Sequence, residues 1–91
     1  MTIAEQLKQR IENEAWQPVT IANDRFQLDL PEVHGMDEVG FIFWRKVDDG
    51  GLVLIASGHT LRGQLVDAKE QPLDLAADVQ DELETLLDQE D

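Results

Sequence analysis

The stretch Val39-Gly40-Phe41-Ile42-Phe43-Trp44-Arg45-Lys46-Val47, followed by Asp48-Asp49-Gly50-Gly51 and then Leu52-Val53-Leu54-Ile55-Ala56-Ser57, decides the fold. β-Branched and aromatic residues fill both arms, and the Asp/Gly cluster between them supplies the residues a tight reversal needs. The segment therefore reads as an antiparallel β-hairpin. Alternate side chains of a strand point to opposite faces. With a turn centred on Asp49-Gly50, Phe41, Phe43, Arg45 and Val47 share one face with Leu52, Leu54 and Ala56. Ile42, Trp44 and Lys46 then share the other with Val53 and Ile55. A three-residue turn exchanges the two sets of the second arm. Each set is apolar, so both faces of the ribbon are apolar in either register, and both need covering.

Upstream, Thr2-Ile3-Ala4-Glu5 fits a capping box, the Thr hydroxyl accepting from the Glu amide while the Glu carboxylate reaches back to the Thr amide. The helix it starts gathers Ile3, Ala4, Leu7, Ile11 and Ala15 within an arc of about 120° and ends near Trp16, before Pro18. Val19 and Ile21, then Phe26, Leu28 and Leu30, alternate at period two around Asn23-Asp24, which gives a hairpin or one bent strand. Pro31 to Asp37 has the breaker density of a loop.

Downstream, Thr60 to Val66 reads as one further strand, with Gly63 marking a bulge or a close backbone approach. Asp67 to Pro72 turns, and Asp74 is the expected N-cap of a helix running to about Gln89. On that helix Leu75, Ala76, Val79, Leu83, Leu86 and Leu87 form the apolar face, and Asp78, Asp81, Glu82, Glu84 and Asp88 the opposite one. The order α-β-β-β-β-β-α predicts a single α+β domain over residues 1–91. Its expected form is a small antiparallel sheet of about four to five strands, flanked by the N-terminal and C-terminal helices on one face.

Composition narrows the function classes. Twenty Asp and Glu against seven Lys and Arg leave a net charge of -13 over 91 residues, a field that repels nucleic-acid phosphates and anionic membranes alike. Neither is an expected direct partner. Cysteine is absent, which excludes disulfides, thiolate metal sites and cysteine nucleophiles. No run approaches about eighteen apolar residues, and the Met1 to Gln6 start lacks a signal-peptide layout, so a cytoplasmic location is the expectation.

Candidates for chemistry are few. His59, in Ser57-Gly58-His59-Thr60, pairs a hydroxyl with an imidazole, but no third orienting group or oxyanion nest is visible nearby, and a turn histidine bonded to local backbone fits better. His34 has Glu32, Asp37 and Glu38 around it, oxygen and nitrogen donors of the kind Zn²⁺ accepts, yet without a recognised metal spacing. Gly50-Gly51 and Gly58 lack the strand-to-helix setting and the Lys of a phosphate cradle. The sequence therefore assigns no catalytic residue, metal or cofactor, with a small ligand- or metal-binding domain using His34 or His59 as the second alternative.

Two features stand above this background. One is the hairpin face carrying Ile42, Trp44, Val53 and Ile55, for which the two helices leave no obvious cover; Trp suits the anchor of an interface. The other is charge asymmetry: residues 67–91 hold ten acids and one Lys, while residues 1–66 hold ten acids and six bases. The expected function is a non-catalytic acidic protein–protein interaction module. It would self-associate or bind a protein partner through Ile42, Trp44, Val53 and Ile55, with Asp78, Asp81, Glu82, Glu84 and Asp88 steering association. The alternative is an inhibitor that mimics nucleic acid or neutralises a basic partner, because eight acids from Asp74 to Asp91 would lie along about 27 Å of helix.

Overall fold

A computed structural model describes residues 2–31, 33–34 and 38–88. The element order is α1 (Ile3–Asn13), β1 (Val19–Ala22), β2 (Phe26–Leu30), β3 (Val33–His34), β4 (Glu38–Lys46), β5 (Leu52–Leu61), β6 (Gln64–Val66) and α2 (Ala77–Leu87). The strands run antiparallel in the spatial order β1-β2-β4-β5-β6, and the two-residue β3 pairs with the start of β4. This is the α+β arrangement expected: one antiparallel sheet flanked by an N-terminal and a C-terminal helix.

α1 forms where its signals lie. Thr2 Oγ1 accepts from the Glu5 amide at 3.1 Å, the Glu5 carboxylate bonds back to the Thr2 amide, and Ile3, Ala4, Leu7 and Ile11 are buried. The β1–β2 hairpin closes through Asn23, whose Oδ1 accepts from the amides of Arg25 and Phe26 at 2.9 and 2.8 Å. Leu7 and Ile11 of α1 and Leu83 and Leu86 of α2 join Ile21, Leu28, Leu30, Val39, Phe41 and Phe43 in one core. Phe26 and Phe43 stack across β2 and β4 with ring centroids 5.4 Å apart. α1 packs over β4, β5 and β6, and α2 over β1 and β2, so both helices cover the same sheet face.

The central hairpin takes the three-residue turn. Val47 donates to the Gly51 carbonyl and Gly50 to that of Val47, with Gly50 at φ +85°, so Lys46 faces Leu52, Arg45 faces Val53 and Trp44 faces Leu54. A bulge between Phe43 and Trp44 restores the register, so that Phe43 pairs with Ala56 and Ile42 with Ser57. One extra residue on β5, Ile55, absorbs the mismatch.

Two expected boundaries and one glycine's role change. The Thr60–Val66 segment is the end of β5, a turn at Arg62-Gly63, and β6; both turn residues have positive φ (53° and 79°), the signature of a hairpin turn whose twist matches its strands. The close approach expected of a glycine falls at Gly58 instead, where an added Cβ would meet the Val66 carbonyl oxygen at 2.1 Å. The second helix is capped at Ala76, without a side-chain cap, rather than at Asp74. The Leu73 amide donates to the Leu65 carbonyl at 2.9 Å, which holds residue 73 beside β6 and delays the helix.

Candidate interaction surface

The sheet face away from the helices is built from alternate residues of β1, β2, β4 and β5. The pairing Thr20, Asp29, Ile42, Ser57 forms one row across it, and Ala22, Gln27, Trp44, Leu54 the next. Lys46 and Leu52 close it at the turn end. Ile42 and Trp44 are half-buried among these neighbours, whereas Leu52 and Leu54 are 41% and 52% exposed.

Asp29 organises the middle of this face. Its Oδ1 accepts from Thr20 Oγ1 at 3.0 Å and from Gln27 Nε2 at 3.1 Å, and its Oδ2 accepts from Trp44 Nε1 at 2.9 Å. A partly buried Trp N–H needs an acceptor. Here it finds a carboxylate, and the indole is held in place by a charge-assisted bond. The surface thus combines a fixed aromatic ring, a polar lattice and an apolar strip along β5.

Of the expected partner residues, Ile42 and Trp44 lie together on this face, and Val53 and Ile55 do not. The three-residue turn sets Val53 opposite Arg45, where it is 52% exposed. Ile55 packs against the core. Leu52 and Leu54 take their places beside Trp44. The exchange of sets that a three-residue turn implies is the signal that identifies them.

The acidic residues lie elsewhere. Asp78, Asp81 and Asp88 are exposed, and Glu82 and Glu84 are half-buried. Glu82 Oε1 sits 3.2 Å from Arg25 Nη2, and Arg25 in turn lies over the Phe26 ring. Glu84 lines a groove of about 470 Å³ between the start of α1, the β5–β6 turn and α2, together with Thr2, Ile3, Leu73 and Gln80. Because α2 covers β1 and β2 from the opposite side of the sheet, its carboxylates and the strip on β5 form two separate surfaces.

His59 lies within β5 rather than in a turn, paired with Gly40 on one side and Val66 on the other. It borders a shallow depression with Pro31, Ile42, Ser57 and Ala68, and no carboxylate is among the described residues lining it. Among the described residues no base–orienter arrangement is assembled there. The His34 cluster, with Glu32 and Asp37, lies outside the described side chains; β3 sets His34 opposite Glu38 in backbone register. Among the described residues no group of three or more His, Asp or Glu is placed to hold a metal ion, and every buried side-chain nitrogen and oxygen has a hydrogen-bond partner. No helix among them is long and apolar enough to cross a membrane. No family model, curated protein or solved structure matches the chain, so the surface itself is the ground for a functional reading.

Proposed function

We propose that the chain is a non-catalytic, acidic protein–protein interaction module that receives a protein partner on the sheet face opposite its helices. One observation carries this: both helices pack on the same side of the sheet, leaving Ile42, Trp44, Leu52 and Leu54 without a covering layer among the described residues. Covering what remains exposed of Leu52 and Leu54 contributes about 1 kcal/mol each, half the transfer energy of a full side chain. Association also costs several kcal/mol of lost freedom, so the ring of Trp44, held by Asp29 before any partner arrives, supports the reading by reducing what must be ordered on docking. The acids of α2 act at longer range, repelling anionic surfaces such as nucleic acid and membranes.

A photo-crosslinking side chain placed at Leu54 or Ser57, both on this face, tests the proposal against one at Thr85, exposed on α2. Adducts in the native host from the first two positions, and not from Thr85, are the expected result. Adducts from Thr85 alone, or none at any position, overturn it.

A further inference from the structure

We infer that the protein partner is a second copy of this chain, joined strand to strand through the free edge of β5 about a two-fold axis at Val53. This rests on the interaction-module reading above, names its occupant, and places the contact at the β5 edge bordering the open face, where that face's Leu52 and Leu54 meet their counterparts.

The first observation is the pairing pattern. β5 is ten residues long and pairs with β4 along its length, whereas on its other side β6 pairs only with His59, Thr60 and Leu61. Among the described residues, Leu52 to Ser57 therefore present one unpaired backbone edge. Such edges template pairing with another chain unless charge, proline or shortness protects them. The sheet's terminal edges have that protection. β1 is four residues long behind Pro18, and β6 is three residues long with Val66 bridged to Pro72. The β5 edge has neither charge nor proline: Gly50 to Leu61 contains no Asp, Glu, Lys, Arg or Pro, in a chain that is 30% charged.

The second observation selects a second copy over other strands. Among the described residues, Leu52, Val53 and Leu54 are the three large hydrophobic residues standing exposed, and Leu-Val-Leu reads alike in both directions. An antiparallel two-fold pairing sets Val53 against the partner's Val53 and Leu52 against the partner's Leu54, then repeats the latter contact by symmetry. This is the self-complementary contact an isologous dimer requires. The bulge at Ile55 bounds the paired segment on one side and the Asp48-Asp49-Gly50 turn on the other.

Charge placement removes the obvious objection that two chains of net charge -13 repel each other. The acidic helix α2 sits over β1 and β2, so joining two sheets at β5 holds the two helices six strand spacings apart, about 29 Å across the strands. That is more than three Debye lengths of about 8 Å at physiological salt. The uncharged edge is thus where two copies meet with least repulsion.

Sedimentation velocity on the full chain from low micromolar to millimolar concentration, with amide hydrogen exchange at both extremes, is the test. A reversible dimer is expected, with exchange of the Leu52 and Leu54 amides, which point away from β4, slowing at least tenfold at high concentration. Val53→Lys places like charges face to face at the axis and weakens the dimer at least tenfold. It also lowers the net negative charge, so that loss cannot come from overall repulsion. Thr85→Lys makes the same charge change on α2 and leaves the dimer intact. A monomer throughout overturns the inference, as does a dimer whose edge amides stay unprotected or that tolerates Val53→Lys. Crosslinks from Leu54 and Ser57 to a different protein, with no self-adduct, would overturn the second copy while leaving the docking face standing.

Discussion

Gly58→Ala tests how closely β6 is drawn onto β5. A Cβ at this position would lie 2.1 Å from the Val66 carbonyl oxygen and 3.1 Å from Leu73 Cδ1. Ordinary contact begins at about 3.5 Å, so the Val66 backbone must retreat by more than about 1 Å. It cannot do so alone, because Val66 pairs with His59 and bridges Pro72, and Leu73 is bonded to Leu65. Overpacking costs about 1–3 kcal/mol, and the rigid obstacle here places the cost at the upper end. Alanine returns about 0.4–1 kcal/mol by restricting the unfolded chain. The net loss is about 2 kcal/mol, from a total on the order of 5–14 kcal/mol for a domain of this length. With a urea dependence of about 1 kcal/mol per molar, the unfolding midpoint falls by about 2 M. Urea titration followed by far-ultraviolet circular dichroism measures this directly. An unchanged or raised midpoint would refute the close approach, because only the unfolded-chain effect would then remain.

Thr2→Ala removes the acceptor for the Glu5 amide and costs about 1 kcal/mol, lowering Tm by about 4–8 °C in a thermal melt. Trp44→Phe keeps the ring on the sheet but deletes the donor to Asp29, whose other two donors remain. A loss of about 1 kcal/mol is expected, and Asp29→Asn in a double-mutant cycle should show coupling between the pair. Arg25→Ala changes stability by less than about 0.5 kcal/mol despite its ion pair with Glu82, because the Arg25 side chain is 74% exposed and solvent screens the charge; denaturant melts at low and high salt check this.

The hairpin was legible because its two arms carry strand-forming residues around a reversal, and the α1 boundary because Thr2 and Glu5 stand three apart. The register was not legible. Asp48-Asp49-Gly50-Gly51 offers two glycines, and sequence does not say which takes the left-handed conformation; Gly50 does, and that choice moved Leu52 and Leu54 onto Trp44's face in place of Val53 and Ile55. The bulge at Ile55 returns Ala56 to the register that pairs it with the core residue Phe43, a tertiary constraint that no local pattern encodes. Asp74 has the chemistry of an N-cap, but the bond from Leu73 to Leu65 keeps the chain extended past it. Asp29 went unnoticed as the centre of the open face, although its period-two position on β2, with Gln27, and the need of a sheet tryptophan for an acceptor both pointed to it.

α2 differs from α1 in what supports it locally. It begins without a side-chain cap and has no basic residue in its last turn, where Glu84 and Asp88 face the negative end of the helix dipole. Its hold on the sheet therefore depends on Leu83 and Leu86, together with the partly buried Val79 and Leu87. Raising ionic strength relaxes the unfavourable charges without touching those contacts, so salt tightens this helix first. In dilute buffer its detachment costs less than in salt, and that detachment exposes core shared with β2. The grip of the acidic helix on the sheet is thus set in part by the salt around it.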